Sequence, residues 1–232
     1  VNSVSICIPA YEMNGKAKEY LGQLLNSISI QRGVDYHVFV SDNSTENDDV
    51  KQVCKSYDFV TVINNTGRKS ASSNMNNALL QSTGDVIKIM FADDFFVDDY
   101  SLFDSTKPIF DGQLWSVTAC CHTQNGKEFF RPFFPRYHND IHLGTNTMSS
   151  PSTISMRRDN QTLFDENINY LLDVEWYKRM CIRHGEPHIN NRINVVNRIH
   201  EDSLSSSLHK EGIENVMEKE VTYVKSKIEG LL

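Results

Sequence analysis

The chain has 232 residues, 39% hydrophobic and 23% charged, the balance of one globular domain or one domain with a small appendage. Its 30 acidic and 23 basic residues leave a formal net charge of −7, with no long Lys/Arg run, which excludes broad nucleic-acid binding. No stretch reads as a signal peptide or a membrane span.

The five cysteines are odd in number and contain no CxxC pair, so buried free thiols in a reducing, cytoplasmic setting are expected rather than disulfides or zinc. The chain begins at Val1 without Met, as a processed chain or a piece of a longer one would.

Residues 4–8 form a short apolar strand ahead of Pro9. Leu21, Leu24, Leu25 and Ile28 have the spacing of one helix face. A second strand spans 36–40 and ends at Ser41-Asp42-Asn43-Ser44. A helix follows over 48–57, then a third strand over 59–63 and a turn at Asn65-Thr66-Gly67. Residues 73–81 read as a helix and 86–91 as a fourth strand. Near-continuous apolar strands separated by helices imply a parallel sheet covered on both faces. Right-handed crossovers then gather the loops at 9–14, 41–43, 65–69 and 92–95 on one rim.

The second half is less regular. Residues 114–123 read as a strand, with 127–134 pairing beside it. The stretch 131–146 is rich in His, Pro and aromatic residues and has the character of a substrate-facing loop. A short strand at 152–156, a helix at 170–184 and a last strand at 193–199 follow. Residues 210–232 form a long polar helix with an apolar stripe, suited to core packing, a homodimer contact or a lead into a further domain.

The fourth strand runs straight into Asp93 and Asp94. Ligands of open α/β sheets bind beyond the carboxyl ends of strands, and two adjacent acids there call for a hard divalent cation that grips phosphate oxygens. Helix capping is the plainer use of such acids. Neighbouring side chains point opposite ways, so Asp94 is expected on the metal and Asp93 on a sugar or ribose hydroxyl. Asp42, at the end of the second strand, suits either an imide N–H of a base or an Asx turn. Arg68 and Lys69 are the adjacent basic pair on the rim and suit a diphosphate. Asp173 and Glu175 diverge by about 200° on a helix, so only one of them faces a given cleft, as a candidate general base. His200 is a candidate ligand for a manganese-type ion.

Together these residues resemble the inverting family-two glycosyltransferases of GT-A fold. The opening Ser5-Ile6-Cys7-Ile8-Pro9-Ala10-Tyr11 resembles the family's first strand and its base-contacting Pro-x-Tyr. Val40-Ser41-Asp42-Asn43-Ser44 is similar to the second-strand acidic motif. Asn65-x-Gly67, Asn74 and Asn76-Asn77-Ala78-Leu79, then Gly84-Asp85-Val86-Ile87, resemble the third segment. Phe91-Ala92-Asp93-Asp94 stands where the family carries its DxD-type motif, although Phe91 and Ala92 replace the first acid. Leu172-Asp173-x-Glu175 resembles the catalytic-base motif, with Leu172 where Glu is usual. Arg198-x-His200-x-x-Ser203-x-Ser205 is similar to a C-terminal motif whose His can complete the metal site.

The resemblance implies an α/β GT-A fold: a Rossmann-like, mostly parallel central sheet flanked by helices, with a small acceptor-side β region and a C-terminal helix. It implies a single domain over 1–205, with a nucleotide-binding half (1–95) and an acceptor half (96–205), then a helical extension over 206–232. It also implies metal-dependent, inverting transfer of a hexosyl group from a UDP-sugar to a hydroxyl of a glycan or other acceptor. In that reading Asp173 is the base, Asp94 and His200 hold Mn²⁺ or Mg²⁺, Pro9, Tyr11 and Asp42 face the base, and Arg68 and Lys69 face the diphosphate. A nucleotidyltransferase would want a basic Gly-rich loop where Pro9-Ala10-Tyr11-Glu12-Met13-Asn14-Gly15 stands. No GxGxxG follows a strand, which speaks against a dehydrogenase. A non-catalytic sugar- or nucleotide-binding module on the same scaffold would not need Asp94, Asp173 and His200 together.

Overall fold

In the computed structural model, which describes residues 3–201 and 213–231, the first half alternates strand and helix. The order is β1 (Ser3–Ala10), α1 (Ala17–Ser29), β2 (Asp35–Asp42), α2 (Asp49–Cys54), β3 (Val60–Asn64), α3 (Ala71–Leu80) and β4 (Val86–Ile89). Then come β5 (Phe95–Phe96), α4 (Ser101–Phe110), β6 (Trp115–Thr123), β7 (Phe130–Phe133), β8 (Ile154–Arg157), α5 (Leu172–His184), β9 (His188–Arg198) and α6 (Ile213–Glu229).

The strands form one sheet in the order β3-β2-β1-β4-β8-β6-β9-β5, with β7 on β6. The first four are mutually parallel. β8 runs against both β4 and β6, and β9 runs with β6. Two reversals restore direction, so β1, β2, β3, β4, β6 and β9 all point one way. The strands after β4 therefore continue the central sheet, and the carboxyl ends of β4 and β9 reach the same rim. Register keeps that rim level, with Ala10 beside Asp42 and Asp42 beside Asn64.

Both sheet faces are covered. On β1, Val4, Ile6 and Ile8 meet Leu21, Leu24, Leu25 and Ile28 of α1. Cys7, on the opposite face, joins Met75 and Leu79 of α3 and Trp176 of α5. Each buried aliphatic side chain is worth roughly 1.5–3 kcal/mol relative to exposure, so the stripe on α1 holds that helix more firmly than propensity does. Gly84 admits no Cβ: one built there would lie 2.8 Å from the Ser5 nitrogen, where the chain crosses the start of β1.

α4 and β5 have no counterpart in the sequence reading. Pro108 lies inside α4 and cannot donate to the carbonyl of Asp104, which breaks the expected pattern. Asn190 Nδ2 donates to that carbonyl instead, at 2.9 Å. The C-terminal helix packs on its own chain, with Val224 and Ile228 buried in the core. Residues 210–212 of the expected helix, Ser203, Ser205 and the 205/206 boundary lie outside the described residues. All five cysteines are free thiols. Among the described residues no helix is long and apolar enough to cross a membrane.

Candidate active site

A cavity of about 570 Å³ opens at the carboxyl rim of the sheet. Pro9 and Tyr11 line it from the end of β1, Lys69 from the loop before α3, and Asp93 and Asp94 from the turn after β4. Asp173, in the first turn of α5, and His200, just past β9, complete the set that the sequence singled out. The wider lining of the cavity leaves out Arg68 and Asp42. Arg68 donates outward to the carbonyl of Glu166 at 2.8 Å. Asp42 is buried in an Asx turn, accepting from the Ser44 N–H at 2.9 Å, and its neighbour Asn43 lines the cavity in its place.

The asparagines of α3 secure this rim, which explains why a polar helix is buried. Asn74 Nδ2 donates to the carbonyl of Ala10 at 2.9 Å, and Asn77 Nδ2 to Ser41 Oγ at 2.8 Å. Asn76 exchanges two hydrogen bonds with the backbone of Phe164, at 2.8 and 2.9 Å. Asn74 and Asn76 thereby bind backbone groups at the end of β1 and in the loop before α5, and Asn77 ties α3 to the side chain of Ser41.

The two adjacent acids have separate surroundings. Asp94 is 3% exposed and turned onto the end of β9. Its Oδ1 accepts from the Arg198 N–H at 2.9 Å, and its Oδ2 from Asn197 Nδ2 at 2.7 Å and Ser150 Oγ at 3.4 Å. Burial, and then the charge of Asp93, push its carboxyl above the usual range, against those donors. Beneath it Lys88 is fully buried, its ammonium donating to the carbonyls of Ser152 at 2.5 Å and Ile154 at 3.4 Å. Burial pulls Lys88 down to about 7, and the Asp94 charge opposes this.

Asp93 faces the other way. Its Oδ2 lies 2.9 Å from His200 Nε2. The sequence reading paired His200 with Asp94; the structure pairs it with Asp93, because β9 takes up the acceptors of Asp94. Arg198 fixes the backbone there, donating to the Asp93 carbonyl at 3.2 Å with its guanidinium 4.2 Å from the centre of the Tyr20 ring.

On α5 the two acids also divide. Glu175 is fully buried and bound to Arg179 and, at 2.7 Å, to Lys227. Asp173 lines the cavity and accepts no hydrogen bond from the described residues. Burial pushes its carboxyl up to about 7. The acid facing the cleft is therefore Asp173. Of the supporting groups that the sequence reading missed, Lys88 left a signal: a lone charge inside the apolar run Ile87-Lys88-Ile89. Ser150 and Asn197 left none.

The mostly parallel sheet with an acid-lined cavity at its carboxyl rim, together with the family and fold matches that follow, shows a GT-A fold. Residues 5–179 match the family described as Glycosyl transferase family 2, and the chain belongs to that family. Among curated proteins no sequence matches it. Solved structures similar to it include S. aureus TarS 1-349 in complex with UDP-GlcNAc, with a TM-score of 0.66 and 18% identity over 89% of this chain and 61% of that one. The complex of the same protein with UDP has a TM-score of 0.66 and 18% identity, covering 86% of this chain and 61% of that one. A mannosyltransferase, PcManGT from Pyrobaculum calidifontis, in complex with GDP-Man and Mn²⁺, has a TM-score of 0.62 and 13% identity over 99% of this chain and 73% of that one. At these identities the likeness is one of fold. The chain spans about three fifths of the length of TarS 1-349.

Proposed function

We propose that this chain transfers a sugar, with inversion, from a nucleoside diphosphate sugar to an acceptor hydroxyl of a glycan or similar molecule. UDP is the nucleotide of choice, since similar folds are seen with UDP and UDP-GlcNAc bound. The observation that carries the reading is Asp173: a carboxylate without a hydrogen-bond partner among the described residues, on the same cavity as the Asp93–His200 pair.

Asp173 takes the proton of the acceptor hydroxyl, and a carboxyl raised to about 7 is well matched to that task near neutral pH. Tyr11 and Pro9 flank the nucleobase. Asp42 holds the turn that presents Asn43, and Lys69 sets positive charge towards the diphosphate. The donor chemistry of Asp93 and His200, a carboxylate oxygen and an imidazole nitrogen 2.9 Å apart, fits a divalent cation such as Mn²⁺ or Mg²⁺. Among the described residues no cluster of three or more His, Cys, Asp or Glu surrounds one point, so phosphate oxygens and water would fill the rest of its shell. When bound, such an ion stabilises the charge that develops on the leaving diphosphate. Asp94 stands behind and keeps the turn in place.

The test is incubation with a panel of UDP-sugars and Mn²⁺. Slow UDP release without acceptor, and an inverted anomeric centre in the product, support the reading. A retained configuration, or no release with any UDP-sugar, refutes it. Equal UDP affinity in Mn²⁺ and in EDTA, measured by calorimetry, removes the metal from it.

A further inference from the structure

The sequence leaves α5 poorly started. Its N-cap position is Leu171, which offers no side-chain acceptor. Helix starts need acceptors for their leading N–H groups, and a Leu cap supplies none. Of those donors the Leu171 N–H, together with the two N–H groups ahead of it, is met by an acceptor from the far end of the chain. Glu220, on α6 and 8% exposed, turns both carboxylate oxygens onto this turn. Its Oε1 accepts from the Asn169 N–H at 2.8 Å. Its Oε2 accepts from the Tyr170 and Leu171 N–H groups, each at 2.9 Å. Asn169, Tyr170, Leu172 and Asp173 all line the cavity, so the clamped turn is one of its walls.

The rest of α6 presses the same contact home. Val224 and Ile228, one and two turns beyond Glu220, are buried against the core that holds Trp176. Lys227 binds Asp165 at 2.5 Å and Glu175 at 2.7 Å, on either side of the clamped turn. Charge-assisted hydrogen bonds from three backbone groups to one carboxylate are strong and directional. Misplacing a reacting group by about 1 Å can cost around a hundredfold in rate.

We infer that Glu220 is a positioning residue: the C-terminal helix sets the place of Asp173 in the site through this clamp. The inference rests on the reading of Asp173 as base. It makes α6 a working part of the transferase rather than an appendage or a dimer contact.

The test is Glu220→Gln in the full chain. Gln keeps the shape, but its amide nitrogen meets backbone N–H groups and only one oxygen is left to accept. The expected result is a fall in kcat of about tenfold or more with KM for the UDP-sugar within about twofold, and no further fall when Glu220→Gln is added to Asp173→Asn. Val50→Ala, on α2 in the core away from α5 and α6, is the control: it lowers the melting temperature and leaves kcat intact. Unchanged kcat in Glu220→Gln, or an equal loss with and without Asp173, overturns the inference. If Asp173→Asn alone keeps full turnover, the base assignment fails instead. Amide exchange then decides the clamp by itself: faster exchange at Asn169, Tyr170 and Leu171 in Glu220→Gln supports it, and unchanged exchange overturns it. Should Glu220→Gln not fold, Glu220→Asp, with a carboxylate one methylene short, is put through the same kcat and KM comparison.

Discussion

Asp173→Asn removes a proton acceptor and keeps the shape of the side chain. The carboxylate makes no hydrogen bond with the described residues, so the substitution breaks no internal bond and UDP affinity should stay close to that of the wild type. Loss of a general base should lower kcat by about 10²–10⁴. Stability should move the other way. Burial pushes this carboxyl from 3.8 to about 7, so the folded state favours the protonated form. The resulting stabilisation is complete below the unfolded pKa, near pH 4, and is lost as pH rises through the folded value, near pH 7. A shift of about 3 units at about 1.4 kcal/mol each is a penalty on the order of 4 kcal/mol at pH 8. An Asn amide buried without a partner takes back about 1–3 kcal/mol. A net gain of roughly 1–3 kcal/mol should raise the melting temperature by about 2–10 °C for a chain of this size. Thermal melts at pH 8 and pH 4.5 measure it, and the difference should vanish or reverse at the lower pH. A variant with normal turnover and no pH-dependent gain would refute both the placement of Asp173 and its role.

Asp93→Ala should leave melting near that of the wild type and make UDP binding indifferent to Mn²⁺; calorimetry that still shows metal-dependent affinity would shift the cation elsewhere. Asp94→Ala should strip the acceptor from the Arg198 N–H, with Asn197 keeping its bond to Ser150, and cost about 1–3 kcal/mol, seen as a lower urea midpoint. An unchanged midpoint would contradict its supporting role. Glu175→Gln should lose about 3–5 kcal/mol by leaving the buried Arg179 without its carboxylate, while Lys227 keeps Asp165, again read from urea melts.

The first hundred residues were legible because their information is local. Each strand of the parallel half is an apolar run, each ends in turn chemistry, and handedness sends every strand end to one rim. That reasoning brought Pro9, Tyr11, Lys69 and both acids after β4 to the cavity. It failed where a distant element decides. Pro108 hid α4, because the acceptor it strands is satisfied by Asn190 from another strand. It also put Arg68 on the diphosphate, whereas the Glu166 carbonyl draws that side chain away.

The same distinction underlies the roles proposed for the acids of this chain. Asp94, Glu175 and Glu220 have their oxygens taken up by donors from β9, from α5 and α6, and from the turn before α5 respectively. Among the described residues the Asp93 carboxylate is hydrogen-bonded only to His200, and the Asp173 carboxylate to none. A carboxylate with most of its acceptor capacity spare on a cavity is better placed to take a proton or a cation than one whose oxygens already accept three hydrogen bonds. Adjacent acids look alike in sequence, and so do acids two apart on a helix. The choice within each pair comes from partners as far as 107 residues away, which is why spacing led to both pairs and tertiary packing had to divide them.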